Sequence, residues 1–275
     1  MKRTERAHIA QETVEILEQR RYRAPLGAEV DLSAALARCL EGTRLYGEAD
    51  LTGPASPAAG GPELDTTLEV TGETSVAAIH RLVVERNLDT LCLNFASAKN
   101  AGGGFLGGAE AQEESLARAS GLYASLLSQP RYYEANRACS TALYTEHLIY
   151  SPHVPMIRDD AGTLLDRPHL AAFITAPAVN TGAVQQNEPE RLPEVPEVMR
   201  RRTERVLSVA LAAGHRALVL GAWGCGVFRN DPALIADLFG QLETSFKGRF
   251  EHVVFAVFDR SPGQACLRAF QERLG

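Results

Sequence analysis

Asn100-Ala101-Gly102-Gly103-Gly104, followed seven residues later by Gln112-Glu113-Glu114, joins a flexible glycine loop to two adjacent carboxylates. Glycine has no Cβ, so it visits positive φ and lets a ligand approach the backbone closely. Paired acids at the end of such a loop can supply proton transfer at a glycosidic bond. The segment before the loop, Leu91-Cys92-Leu93-Asn94-Phe95, reads as a buried strand. After it, Leu116, Ala119, Tyr123 and Leu126 fall on one helical face, and Pro130 marks a stop after Gln129. Glu113 and Glu114 are therefore expected at a helix N-terminus, in a strand–loop–helix unit typical of α/β layering.

The same rhythm extends outward. Strands are expected at Thr66 to Val70, Leu148 to Tyr150, Leu170 to Ala176, Ala217 to Leu220 and Val253 to Phe258. Helices are expected from about Ser75 to Arg86 and from about Val198 to Ala213, the second closed by Gly214. A central sheet with helices on both faces follows. Ligands of such sheets bind beyond the carboxyl ends of the strands, where the glycine-rich segments fall. Upstream, Ile9, Thr13, Ile16 and Leu17 recur at helical spacing, and Leu32 to Leu40 form a second apolar helix. The Gly/Pro-rich run from Gly53 to Pro62 reads as a flexible surface connection. This divides the chain into an N-terminal helical cap and linker over residues 1–65, packed on a core over residues 66–275.

Composition narrows the function classes. With 34 acidic and 28 basic side chains the net charge is −6, which argues against general nucleic-acid binding. Arg200-Arg201-Arg202 with Arg205 reads as a solvated helix face. The five cysteines are widely spaced without a CxxC pair, and the histidines show no HxxxH spacing, so neither a disulfide framework nor a metal site is indicated. No apolar run approaches the roughly 18 residues of a membrane span. The first residues, Met1 to Arg6, lead into a polar helix, so a cytoplasmic location is expected.

Each glycine segment has a competing reading. Gly102-x-Gly104-x-x-Gly107 formally matches a dinucleotide fingerprint, but six residues separate it from the strand and no acid follows at the ribose-binding distance. The second segment, Gly221 to Phe228, lies between a strand and a helix start with Asp231 as N-cap and Pro232 in the first turn. Its amides can hold a diphosphate without a lysine, or it is an ordinary βα turn. Cys225 within it reads as a packing residue rather than a nucleophile, because no histidine is near in sequence. Glu113 and Glu114 could simply cap their helix, since its dipole favours acids in the first turn. Their place behind a long glycine loop favours catalysis.

The Gly-Gly-Gly and Gln-Glu-Glu pattern resembles the signature of poly(ADP-ribose) glycohydrolases, which are macrodomain enzymes. Asn94 to Asn100 before it, and Ser151-Pro152 and Ile174 to Pro177 after it, look like the bacterial type. The likeness runs from about Leu91 to Asp259. It implies a three-layer α/β/α macrodomain sandwich with a mixed central sheet and ADP-ribose in a cleft between the two glycine-rich loops. On that resemblance, Gly102 to Gly108, with Gly102, Gly103 and Gly104 foremost, would line the loop around the distal ribose, with Asn100 and Gln112 as polar contacts. Gly224, Cys225, Gly226, Val227 and Phe228 would hold the diphosphate, Phe228 pressing on the ribose. Glu113 would bind ribose hydroxyls and Glu114 would be the catalytic acid. The partners implied are poly(ADP-ribose), ADP-ribose and poly-ADP-ribosylated proteins, with no metal or redox cofactor.

The chemistry agrees with those residues. Cleaving a ribose–ribose bond requires protonation of the leaving oxygen while positive charge develops at the anomeric carbon. An adjacent carboxylate and a bound diphosphate favour a proton on Glu114, and the helix N-terminus opposes it. Two other readings keep the same loops: a non-catalytic ADP-ribose reader, and a hydrolase of singly ADP-ribosylated proteins. The intact acid pair favours an enzyme over a reader.

Overall fold

A computed structural model of the protein describes residues 1–50, 64–241 and 247–275. The Gly53 to Pro62 connection lies outside the described residues.

The chain opens with helix α1 (Arg3–Gln19), a hairpin of β1 (Arg21–Arg23) and β2 (Glu29–Asp31), helix α2 (Ser33–Gly42) and strand β3 (Arg44–Tyr46). The hairpin and β3 were not expected. Runs of three residues are too short for period-2 alternation to declare itself. Strand β3 pairs antiparallel with a strand of the main sheet through Leu45 and Ile149, so the N-terminal segment supplies an edge strand.

The main body contains β4 (Thr67–Thr71), α3 (Ser75–His80, continued by a π turn over Arg81–Glu85), β5 (Thr90–Phe95), α4 (Gln112–Ala119), α5 (Leu122–Leu127) and α6 (Pro130–Ala138). It continues with β6 (Leu148–Arg158), β7 (Leu164–Ala176), α7 (Thr181–Asn187), α8 (Val195–Ala213), β8 (Ala217–Leu220), α9 (Pro232–Gln241), β9 (His252–Ala256) and α10 (Ala265–Leu274). Among the described residues the sheet has seven strands in the order β3-β6-β7-β5-β8-β9-β4. The pairs from β7 through β4 are parallel, and β3-β6 and β6-β7 are antiparallel. The sheet is thus mixed.

Alternation along the central strands builds the two cores. Leu91 and Leu93 of β5, Leu218 and Leu220 of β8 and Phe255 of β9 pack with Met199, Val206, Phe239 and Phe270 of α8, α9 and α10. Cys92, Val219 and Val254, one residue out of phase, pack with Ile79, Leu116 and Leu122 of α3, α4 and α5. A one-residue slip would exchange these sets, so burial of both faces fixes the register. The result is an α/β/α sandwich with helices on both faces.

Several expected elements change at their ends. The helix read from Glu113 to Gln129 is broken: Ser120 is extended (φ −151°) and bridges to Met156, and the Gly121 amide donates to the Pro155 carbonyl. Long-range pairing to β6 here overrides helical periodicity. Pro130 begins α6 rather than only ending its predecessor. Strands β6 and β7 are longer than expected because a bulge between Ser151 and Val154 absorbs Pro152 and His153, and Gly162 (φ +88°) turns the hairpin. The arginine run is not wholly solvated. Arg202 is 1% exposed and donates to the carbonyls of Pro177 and Leu143, while Arg205 is buried with its guanidinium on the Gly47 carbonyl. Positions 202 and 205 are one turn apart on the core side of α8, which turns them inward.

Candidate active site

Strands β5, β8 and β9 end side by side at Phe95, Leu220 and Ala256, and the segments that follow them line one cleft of about 1430 Å³. The glycine loop forms the first wall. It turns at Asn100, whose carbonyl accepts from the Gly103 amide at 3.0 Å, with Gly102 and Gly103 at φ +67° and +59°. Phe105, fully buried against Ala10 and Ala117 and edge-on to Tyr123 at 4.7 Å, anchors the loop on the helices behind it. The loop then curls back over the start of α4, where the Gly104 amide donates to Glu114 Oε1 at 2.9 Å. No protein donor meets Glu114 Oε2 among the described residues, and Glu114 is half-buried in the cleft wall.

The neighbouring carboxyl has a different environment. Glu113 is 3% exposed, with Oε2 on the Ser97 amide at 2.7 Å and Oε1 on Asn94 Nδ2 at 3.3 Å. Burial pushes it up to about 8 against these hydrogen bonds, and the Glu114 charge adds to the rise. Gln112 spends its amide on structure: Oε1 accepts from the Phe95 amide at 2.8 Å, and Nε2 donates to the Leu93 carbonyl at 2.8 Å and to Ser75 Oγ at 3.1 Å. It locks the first turn of α4 onto the end of β5. Asn100 is exposed at the rim and lines the cleft, as do Gly103 and Gly104. Gly102 is buried beneath them.

The loop after β8 forms the second wall. Trp223 is fully buried and its Nε1 donates to the Ala176 carbonyl at 3.2 Å. Gly224 adopts φ +75° where a Cβ would stand 2.5 Å from Asn230 Nδ2, and Asn230 ties the loop to the Val179 carbonyl. Among the described residues, the amides of Gly224, Gly226, Val227 and Phe228 have no acceptor, so four donors border the cleft. Asp231 caps α9 through the Ala233 amide at 2.9 Å. Cys225 Sγ donates to the Trp223 carbonyl at 3.8 Å, and the neighbouring Cys266 thiol together with burial pushes its own thiol well up, away from the thiolate form. Phe228 tilts against Tyr144 with ring centroids 6.0 Å apart.

The segment after β9 supplies a third wall that the sequence reading did not assign. Phe258 is 51% exposed in the cleft, with the Arg260 guanidinium 4.8 Å from its ring centroid. Arg260 also reaches Glu110 at 3.2 Å, a residue that pairs with Arg6 of α1 at 2.8 Å. The expected strand ran to Phe258, whereas β9 stops at Ala256, which leaves the ring free to enter the cleft. Asn94 at the end of β5 and Ser97 just beyond it, both partners of Glu113, fall in the family-like stretch Asn94 to Asn100, but that likeness gave neither a role. Among the described residues no group of three or more His, Cys, Asp or Glu could hold a metal ion, and no helix is long and apolar enough to cross a membrane.

A family model described as the catalytic domain of microbial-type PARG matches residues 10–159. The crystal structure of poly(ADP-ribose) glycohydrolase from Thermomonospora curvata bound to the inhibitor ADP-HPD is similar at a TM-score of 0.90 and 49% identity, covering 98% of this chain and 99% of that one. The enzyme of the same name from Deinococcus radiodurans in complex with ADP-ribose gives 0.78 and 51%, covering 87% and 96%. No curated protein matches. An acid pair under a glycine loop at the strand ends of an α/β/α sandwich defines a glycoside hydrolase. The chain belongs to the microbial-type poly(ADP-ribose) glycohydrolase family, whose substrate is poly(ADP-ribose).

Proposed function

We propose that the chain releases ADP-ribose by hydrolysing ribose–ribose O-glycosidic bonds of poly(ADP-ribose), with Glu114 as general acid and base. The observation that carries this reading is the asymmetry of the Glu114 carboxylate: Oε1 is fixed by the Gly104 amide, while Oε2 is left for substrate in the cleft wall. Glu114 gives its proton to the leaving ribose oxygen as the bond to the anomeric carbon breaks. Positive charge develops on the sugar, and a diphosphate held by the free amides of Gly224, Gly226, Val227 and Phe228 stabilises it. The Glu114 carboxylate then takes a proton from the attacking water, and both protons and the hydroxyl are accounted for.

Glu113 grips the same ribose. Protonated below about pH 8, it can donate to a hydroxyl; it then lacks the charge expected to favour a proton on Glu114, which leaves that part to the bound diphosphate. Phe228 presses on the sugar bound to the diphosphate. Phe258 offers adenine an exposed ring to stack on, already polarised by Arg260. Residues 66–275 would be the catalytic core and 1–65 an extension packed on it that also lends β3 to its sheet. Polymer on modified proteins would be the substrate in the cell, and five free thiols support a reducing, cytoplasmic setting.

The test is incubation of purified protein with poly(ADP-ribose), following free ADP-ribose by chromatography and mass spectrometry, with Glu114→Gln in parallel. Release by the wild type alone is expected. The variant should hold ADP-ribose within about tenfold of wild type, or ~1.4 kcal/mol. Release by Glu114→Gln at the wild-type rate would remove Glu114 from the chemistry, and binding without release by the wild type would make the protein a reader. A singly ADP-ribosylated protein run alongside separates polymer cleavage from removal of the last unit.

A further inference from the structure

We propose that the first turns of α1 are part of the catalytic apparatus, with Arg3 and Arg6 as positioning residues that hold the glycine loop against Glu114. This rests on the assignment of Glu114 as the acid. Arg3 Nε donates to the Gly107 carbonyl and Arg6 Nε to the Gly108 carbonyl, each at 2.9 Å, across more than 100 residues of chain. The Gly107 and Ala109 amides in turn donate to the Gly104 carbonyl at 3.0 and 3.2 Å. The Gly104 amide donates to Glu114 Oε1. A continuous series of hydrogen bonds therefore runs from the N-terminal helix to the carboxylate.

The apolar contacts repeat this connection. Ala10 and Val14 of α1 pack on Phe105, the buried anchor of the loop, together with Ala117 of α4. Thr13 Oγ1 donates to the Arg118 carbonyl at 2.8 Å, and Arg118 donates to the Ala109 carbonyl at 2.6 Å, so the far end of the loop is tied to both helices. Gly108 (φ +72°) shows how close the approach is. A Cβ there would overlap the Arg3 carbonyl and stand 3.1 Å from the Ala7 amide nitrogen. That glycine serves helix docking rather than ligand approach.

A loop this rich in glycine loses much backbone entropy when ordered, and its own turns supply few contacts to offset the loss. Donors on a docked helix supply the missing constraint. They also place it where catalysis is sensitive, because small displacements of an acid from its reacting oxygen cost rate far more than binding. Glu110 extends the arrangement by bridging Arg6 to Arg260, whose guanidinium lies over Phe258. One helix thus braces the loop at the acid and the platform at the other end of the cleft.

The experiment compares wild type with Arg3→Ala/Arg6→Ala, which removes the donors but keeps the buried anchors Ala10, Ile16 and Leu17, and with Gln11→Ala as an exposed control on the same helix. Steady-state kinetics on poly(ADP-ribose), thermal melting and peptide-level hydrogen exchange over residues 102–109 are measured on each. In the double variant kcat is expected to fall at least tenfold with KM within about threefold. Exchange in the loop should accelerate and the melting temperature should stay within a few degrees, and Gln11→Ala should match wild type. Wild-type kcat, or unaltered loop exchange, would overturn the proposal. A rise confined to KM would also overturn it, by making Arg6 a substrate contact. Inactivity of the wild type would instead count against the glycohydrolase reading, which the exchange measurement does not need.

Discussion

Gly103 faces the Glu114 carboxylate so closely that a Cβ on it would overlap Glu114 Oε1 and stand 3.2 Å from Glu113 Oε2. Both the contact and the positive φ of +59° exclude a side chain. The backbone of the loop is thus the complement of the acid pair, and the middle glycine of the triplet is where they meet.

Gly103→Ala is therefore expected to cost activity out of proportion to stability. The left-handed backbone alone costs ~1–2 kcal/mol for a residue with a Cβ. The displaced Glu114 should lower kcat by an order of magnitude or more. Gly226→Ala is the comparison, because its Cβ meets no atom within 4 Å and its φ is not in the left-handed region. Its melting temperature should match wild type, and equal damage in both variants would show that loop flexibility, not the contact, matters.

Glu113 gives the folded protein a pH dependence of known sign. Its carboxyl is pushed up to about 8 by burial, while in the unfolded chain it titrates near ~4.3. Between these values the folded state keeps a proton that the unfolded state has released, so stability falls as pH rises through that window. Denaturant melts from pH 5 to 8 should show the decline, and Glu113→Gln should flatten it. An identical slope in the variant would place the titration elsewhere.

Gln112→Ala should unfold more easily while leaving the acids chemically intact. It strips bonds of 2.8 Å each from the Phe95 amide and from the Leu93 carbonyl at the end of β5, and leaves that carbonyl the weak Cys92 thiol donor at 3.5 Å. An unsatisfied buried backbone group costs ~1–3 kcal/mol. A urea midpoint shift of that size is expected, whereas an unchanged midpoint with weakened ADP-ribose binding would recast Gln112 as a ligand contact.

Phe258→Ala should weaken ADP-ribose without destabilising the fold, since half of the ring is already exposed. Base–aromatic stacking is worth ~1–3 kcal/mol by alanine substitution. Calorimetry should show at least a fivefold loss of affinity at an unchanged melting temperature, and wild-type affinity would leave adenine to another surface.

Sequence alone determined the alternation of strands and helices, both glycine-rich loops and the place of Glu113 and Glu114 at the start of α4. Each of these rests on a local signal: a period of two or 3.6 residues, a run of three glycines, or acids favoured by a helix dipole. Tertiary structure decided what those residues are used for. It buried Glu113 on Ser97 and Asn94, spent Gln112 on the strand end, broke the expected helix at Ser120 through its bridge to Met156, and turned Arg202 and Arg205 inward. It also brought α1 against Gly107 and Gly108, and Phe258 into the cleft. Burial and hydrogen-bond partnership depend on which distant segments meet, and no window short enough to carry a periodic signal contains both members of such a pair.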